Sequence, residues 1–409
     1  MVSGPGQSGA GALISLEGIG RVFGVPSKKA REVLRNFAEC PQQEIKERTG
    51  ALIAVRGASF SVGRESVFVI MGLSGSGKST LLRCMNRLVE PTVGSVHLQT
   101  PQGMVDMTGL SPAKLRAVRR RHISMVFQEF ALFPHLTALK NVMFGLSIQR
   151  LQKPDRIAKA RDALRLVGLA DWADAMPSQL SGGMRQRVGL ARALATETEV
   201  LLMDEPFSAL DPLIRLQMQD ELLKLQSNVH KSIVFVTHDL DEALRLGDTV
   251  TLMEQGRIVQ TGEPQEIILQ PKTEYVSRFV RRADTGCVLT VSTVARMLDD
   301  KASQLSLIDD GERVRVLDES TGNAFQLNGM RQVTQCVIDG QSFPAVAGDD
   351  DSGSPCVHVL SGSVLLADVM RIFVQQSHRL PVVVADEEGR FRGVATETDL
   401  LRGLLTNKA

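Results

Sequence analysis

The chain has 409 residues, 43% of them hydrophobic and 23% charged, with a formal net charge of +1. That length accommodates two or three domains with real cores, and the near-neutral balance offers no argument for nucleic acid as a partner. Five scattered cysteines (Cys40, Cys84, Cys287, Cys336, Cys356) form no CxxC and have no histidine at metal spacing, a pattern of reduced thiols rather than of disulfides or a zinc site.

Residues 1–12 are rich in Gly and Ser and lack a basic stretch followed by an apolar core, so they read as a flexible start rather than a signal peptide. Leu13–Val22 reads as a strand ending at Phe23-Gly24. Ser27–Glu47 carries Ala30, Val33, Leu34 and Phe37 at helical spacing, which predicts an amphipathic helix within an insertion over about residues 26–50. Ile53–Val62 alternates like a strand. Ser66–Met71 is a continuous apolar strand that runs into a glycine loop and a helix over Thr80–Val89. A basic helix follows at Pro112–Arg121, then a strand at Ile123–Phe127 and a helix at Arg156–Val167. Val200–Met203 and Ser232–Thr237 are further apolar strands, separated by a helix over Pro212–Val229. Wholly apolar strands alternating with helices imply a parallel sheet covered on both faces, an α/β domain over residues 13–282. No apolar run approaches the roughly 20 residues needed to span a bilayer.

Beyond Arg282 the texture changes. Residues 283–409 hold 11 Lys+Arg against 18 Asp+Glu, whereas residues 1–282 hold 36 against 28, an asymmetry that marks a domain boundary. Asp309–Glu319 and Gly348–Ser354 read as acidic loops. A compact pattern resumes after Ser361 with a helix over Val364–Gln376, strands at Leu380–Ala385 and Phe391–Ala395, and a closing helix over Glu397–Leu405.

The chemistry concentrates in two places. Gly72-Leu73-Ser74-Gly75-Ser76-Gly77-Lys78-Ser79 fits G-x-x-x-x-G-K-[ST] and sits between a buried strand and a helix, the context that a phosphate loop requires. Its glycines let backbone N–H groups turn onto phosphate oxygens, and the helix N-terminus adds a favourable dipole. Lys78 is expected to reach the β/γ-phosphates and the Ser79 hydroxyl to ligate Mg²⁺, with Ser74, Ser76 and Thr80 completing the cradle. Val200-Leu-Leu-Met-Asp204-Glu205 then places two carboxylates at the end of an apolar strand. There Asp204 can hold Mg²⁺ through water and Glu205 can polarise an attacking water.

Leu180-Ser-Gly-Gly-Met-Arg-Gln-Arg187 resembles the signature motif of ABC ATPases. Gln128 resembles their Q-loop glutamine, Ser208-Ala-Leu-Asp211 their D-loop and His238 their switch histidine, all in family order. The resemblance implies a P-loop NTPase fold of ABC type, with an antiparallel β subdomain and a helical subdomain. It implies ATP as the nucleotide, Glu205, His238 and Gln128 as the catalytic set, and Ser79, Gln128 and Asp204 around Mg²⁺. Ser181, Gly182 and Gly183 would face the nucleotide of a second copy, so that a homodimer sandwiches two ATP molecules, and Asp211 would be a further nucleotide-binding residue. Phe23 is the candidate adenine-stacking aromatic, since the only Trp and Tyr, Trp172 and Tyr275, are wrongly placed.

The segments GLSGSGKSTLLRCMNRLVEPT, VRRRHISMVFQEFALFPHLT and IVFVTHDLDEALRLGD, with the insertion before Gly57, are similar to the ATPases of glycine betaine/proline betaine-type osmoprotectant importers. This implies a motor at the cytoplasmic face of a bacterial inner membrane, docked to a permease and, through it, to a solute-binding protein. Glycine betaine, proline betaine, choline or carnitine would be the solute; another small solute such as an amino acid is the alternative. Gly393-Val-Ala-Thr396-Glu-Thr-Asp399 resembles the end of a CBS motif, which makes residues 283–409 an α+β CBS-like regulatory domain. By that resemblance Thr396 and Asp399 would contact an adenine nucleotide; a dimer scaffold that binds nothing is the other reading.

Overall fold

The computed structural model describes residues 11–405 except 38, 128–131, 150, 197, 209, 230, 282, 284, 301, 310–313, 349–354 and 376–379. The backbone divides into two compact units, Met1–Ile267 and Ile268–Ala409.

The strands of the first unit are β1 (Ala12–Phe23), β2 (Leu52–Gly63), β3 (Val67–Met71), β4 (Val93–Thr100), β5 (Gly103–Asp106), β6 (Ile123–Val126), β7 (Val200–Asp204), β8 (Ser232–Thr237), β9 (Thr249–Glu254) and β10 (Arg257–Gly262). Its helices include α1 (Ser27–Phe37), α2 (Gln42–Thr49), α3 (Lys78–Met85), α4 (Pro112–His122), α5 (Ala138–Ile148), α6 (Lys153–Leu166), α7 (Gly182–Leu194), α8 (Pro212–Val229) and α9 (Leu240–Leu246). One sheet is antiparallel, in the order β2-β1-β4-β5; the other runs β10-β9-β3-β8-β7-β6. The second is parallel from β9 to β6, with β10 added antiparallel to β9. Every residue of β3, β7 and β8 is buried, the reason their sequences are unbroken apolar runs.

Helix α3 packs against strands of both sheets. One core joins Leu16 and Ile19 of β1, Val62 of β2, Leu81, Leu82 and Met85 of α3, and Val200, Leu202 and Val234 of the parallel sheet. The loop entering α3 is therefore held from two sides. Helices α5, α6 and α7 pack on one another as a separate helical layer.

Two helix boundaries differ from the sequence reading. The expected single helix over Ser27–Glu47 is two, because Pro41 (φ −57°) has no N–H to donate and disfavours helix at the residue before it. The pair still buries its apolar face, with Ala30, Val33 and Ile45 clustered against Val22 and Ile53. The helix read as Thr80–Val89 starts at Lys78 and stops at Met85. Asn86 Oδ1 accepts from Leu88 N at 3.0 Å and Arg87 turns left-handed (φ 55°), which ends it.

The second unit contains one nine-stranded sheet: β11 (Arg296–Met297), β12 (Leu305–Asp309), β13 (Val314–Asp318), β14 (Ala324–Leu327), β15 (Val333–Ile338), β16 (Gln341–Ala347), β17 (Val357–Ser361), β18 (Val382–Ala385) and β19 (Phe391–Ala395), in the order β11-β19-β18-β17-β16-β15-β14-β13-β12. The acidic-loop reading of Asp309–Glu319 is corrected here, since Val314–Asp318 is a strand paired on both sides within an antiparallel meander. These strands are short, so their alternation is masked in sequence. Strands β16, β17 and β18 are mutually parallel, and β19 returns antiparallel. Val316, Phe325, Cys336, Val383 and Val394 form the core.

Candidate functional site

Strand β3 delivers the chain into the glycine loop with three positive φ angles, at Gly72 (153°), Gly75 (79°) and Gly77 (101°). Two of these positions admit no side chain. A Cβ on Gly72 would lie 2.2 Å from the Met253 carbonyl oxygen, and one on Gly77 2.1 Å from that of Ala54. Ser76 N donates to Leu73 O at 3.1 Å, and Gly256 N donates to Ser76 O at 2.9 Å, pinning the loop to the β9–β10 turn. Lys78 opens α3 and is 4% exposed. Its Nζ donates to Gly72 O at 2.9 Å and Leu73 O at 3.0 Å. Burial pushes the ammonium below its usual pKa, while the Glu205 and Asp204 carboxylates pull it back up. An anionic phosphate oxygen is a stronger partner for this ammonium than either carbonyl.

The loop borders a cavity of about 430 Å³ lined by Phe23, Ser74, Lys78, Ser79, Thr80 and Glu205, among others. Phe23 carries the Arg21 guanidinium 4.3 Å from its ring centroid. Gln42, from the insertion, lines the same cavity, its amide oxygen accepting from Ile53 N at 3.2 Å and its nitrogen donating to Ala51 O at 3.4 Å. Nothing in the sequence pointed to Gln42, because the insertion reads as a surface helix.

Asp204 ends β7 fully buried, with Arg83 Nη2 3.0 Å from its Oδ2. Its Oδ1 is buried with no hydrogen-bond partner. An orphaned carboxylate oxygen in such a place is costly unless a cation or its water shell satisfies it, so the residues fit Mg²⁺. Arg83, one turn into α3, was also missed in sequence, where it reads as an ordinary helix arginine. Glu205 sits in the left-handed region at φ 46°, a conformation costing about 1–3 kcal/mol that functional sites retain. Its N–H donates to Val236 O at 3.0 Å, and its carbonyl accepts from the Ser208 hydroxyl at 3.0 Å. His238 Nδ1 lies 3.2 Å from Glu205 Oε2.

Ser181 is the N-cap of α7, its hydroxyl accepting from Met184 N at 3.2 Å. A Cβ on Gly183 would meet Leu210 Cδ2 at 2.9 Å, so the start of α7 rests on the segment before α8. Asp211 Oδ1 accepts from Ile214 N at 3.2 Å at the start of α8. Ser181, Gly182, Gly183 and Asp211 lie outside the lining of the cavity. Gln128 lies outside the described residues. In the second unit, Asp399 Oδ2 accepts from Thr396 N at 2.9 Å and from the Thr396 hydroxyl at 2.7 Å, and Arg296 Nε stands 3.4 Å away. The pair thus caps the helix over Glu397–Leu405.

The ABC transporter family profile matches residues 55–208, and the CBS domain profile matches residues 354–406. The chain is 42% identical over 400 residues to the glycine betaine transport ATP-binding protein OpuAA of Bacillus subtilis (strain 168), covering 96% of this chain and 93% of that one. It is 42% identical to the glycine betaine/carnitine transport ATP-binding protein GbuA of Listeria monocytogenes serotype 1/2a (strain 10403S), over 97% of this chain and 98% of that one. Among solved structures, the dimeric ABC transporter cassette MJ0796 superposes with a TM-score of 0.52 at 30% identity, over 61% of this chain and 98% of that one. The chain therefore belongs to the family of ATP-binding subunits of glycine betaine-type ABC transporters, which are ABC ATPases.

Proposed function

We propose that this chain is the ATP-hydrolysing subunit of an importer for a quaternary-ammonium osmoprotectant: glycine betaine, proline betaine, choline or carnitine. The observation that carries the reading is near-full-length similarity to two transport ATP-binding proteins named for glycine betaine, tail included. Two copies close on two ATP molecules, Lys78 and the loop N–H groups gripping the phosphates. Ser79, Gln128 and Asp204 hold Mg²⁺, which when bound offsets phosphate charge. Glu205 accepts the proton of the attacking water, and His238, with its Nδ1 3.2 Å from Glu205 Oε2, orients it. Ser181–Gly183 and Asp211 complete the site of the opposite copy.

The permease, which carries the solute-binding protein, docks near Gln128–Leu136, of which residues 128–131 lie outside the described residues. A cavity of about 360 Å³ there is lined by Ile123, Phe127, Phe133, Phe144 and Ile148, with Phe144 39% and Ile148 47% exposed. The motor then sits peripherally on the cytoplasmic face of a bacterial inner membrane. An adenine nucleotide at Thr396 and Asp399 would compete with Arg296 for the Asp399 carboxylate; calorimetric titration of ATP and AMP into wild type and Asp399→Ala reads that competition. The transport assignment is tested by reconstituting the chain with its permease and measuring ATP-dependent uptake of radiolabelled glycine betaine and choline. Uptake of an amino acid in their place would reassign the solute. Trimethylamine N-oxide belongs in the same assay, since a 40% identical relative from Pelagibacter ubique (strain HTCC1062) is named for its transport.

A further inference from the structure

One guanidinium connects parts of the first unit that the reading above assigns to different nucleotides. Arg215, in the second turn of α8, donates Nη2 to Leu210 O at 3.4 Å and Nη1 to Asp239 Oδ2 at 3.2 Å. Leu210 is the residue whose side chain supports Gly183 at the start of the signature helix, and it immediately precedes Asp211. Asp239 immediately follows His238 and caps α9, its Oδ1 accepting from Asp241 N and Glu242 N at 3.0 and 3.3 Å.

The other side of His238 is held by the same cluster. Thr237 Oγ1 donates to Glu242 Oε2 at 2.6 Å and accepts from Asp239 N at 3.0 Å. Glu242, 6% exposed, also accepts from Gln219 Nε2 of α8 at 3.3 Å and lies 3.7 Å from Arg215 Nε. The His238 side chain is 59% exposed, with its Nδ1 3.2 Å from Glu205 Oε2, so little packing holds the ring and the backbone on either side sets its position. Both neighbours are tied to α8, and the tie that also reaches Leu210 is Arg215.

We infer that Arg215 is a positioning residue for ATP hydrolysis: its fork couples the Leu210–Asp211 segment, which faces the opposite copy's nucleotide, to the backbone that presents His238 to Glu205 in the same chain. A rigid two-pronged donor is needed for this, since one prong must hold a carbonyl and the other a carboxylate; an ammonium is a single point. The inference rests on the reading that Ser181–Gly183 and Asp211 serve the nucleotide of the second copy.

The test uses the full-length chain and a double-mutant cycle. Arg215→Ala should lower kcat about tenfold, with KM for ATP and nucleotide affinity within about twofold of wild type, and Arg215→Lys should recover less than half of the lost kcat. In a His238→Ala background, Arg215→Ala should change residual single-turnover hydrolysis by less than about twofold, because its target is already gone. Full, independent losses in the double variant would overturn the inference, as would a kcat for Arg215→Ala within twofold of wild type. If Arg215→Ala does not fold, Asp239→Asn keeps the α9 cap and weakens only the charged prong, and the same non-additivity with His238→Ala is required. Ser181→Arg separates the two ideas. If it retains turnover, the shared-site reading fails; if it abolishes turnover while Arg215→Ala is silent, only the role of Arg215 fails.

Discussion

Replacing Arg296 by alanine should loosen the second unit far more than its surface position suggests. Arg296 Nη1 and Nη2 donate to the two oxygens of Asp318, each at 2.8 Å, and Nε stands 3.4 Å from Asp399 Oδ2. The Asp318 side chain is 1% exposed, so the variant strands a carboxylate out of water. Removing one partner of a buried pair costs roughly 3–5 kcal/mol. Ser320 still donates to Asp318 through N and Oγ, which argues for the low end, about 3 kcal/mol. For a domain of this size that is a Tm drop of about 10 °C. The sole tryptophan, Trp172, lies in the first unit. Far-UV circular dichroism should therefore show an early transition that tryptophan fluorescence does not follow. Arg296→Met combined with Asp318→Leu should regain most of the loss, since an apolar pair replaces the ionic one without a stranded charge. A shift below about 3 °C, or a double variant as unstable as the single, would refute the argument. The same pair sets an acid limit. Burial raises the Asp318 pKa, but hydrogen bonds from Arg296, Ser320 and Thr321 outweigh it and hold the carboxyl below its ordinary range. A depressed folded-state pKa contributes stability above the unfolded value of about 3.9, and that contribution is lost as pH falls through the folded one. Melting of the second unit in wild type should accordingly move to lower temperature as pH drops below about 4.

Glu205→Gln keeps shape and loses charge, so ATP should still bind while turnover falls at least about a hundredfold; near-normal phosphate release would place the base elsewhere. Lys78→Ala should weaken binding itself, read with a fluorescent ATP analogue, whereas Ser181→Arg should leave that binding intact and stop hydrolysis. Gly77→Ala should abolish nucleotide binding, because its Cβ would meet the Ala54 carbonyl at 2.1 Å with φ at 101°; a binding curve like wild type would show that the loop relaxes freely.

How legible the fold was depended on how local its causes are. The parallel strands announce themselves because burial on both faces leaves no polar residue to interrupt them, and Lys78, Asp204 and Glu205 follow from where such strands end. Gln42 and Arg215 did not announce themselves. A glutamine on an amphipathic insertion and an arginine on a long helix look like solvated surface until tertiary packing brings them to a cavity or to Asp239. The second unit was least legible. Strands of four to seven residues, as in Val314–Asp318, show too few alternations to separate from loop. The ion pair that binds them, Arg296 with Asp318, spans 22 positions of sequence.

The two-residue strand β11 has a consequence for how the protein is made. It pairs with β19, where Arg296 meets Val394 and Met297 meets Gly393, so the earliest strand of the nine-stranded sheet finds its partner only once Val394 has been added. Such distant closure is slow, because the loop entropy is lost before the contact rewards it. The cavity beside the glycine loop, lined by residues between Phe23 and Gln255, is encoded entirely upstream. During synthesis that cavity can therefore take shape on the ribosome while the nine-stranded sheet still waits for β19, and a nonsense mutation shortly before Phe391 would leave a folded first unit trailing an unclosed β-sheet edge.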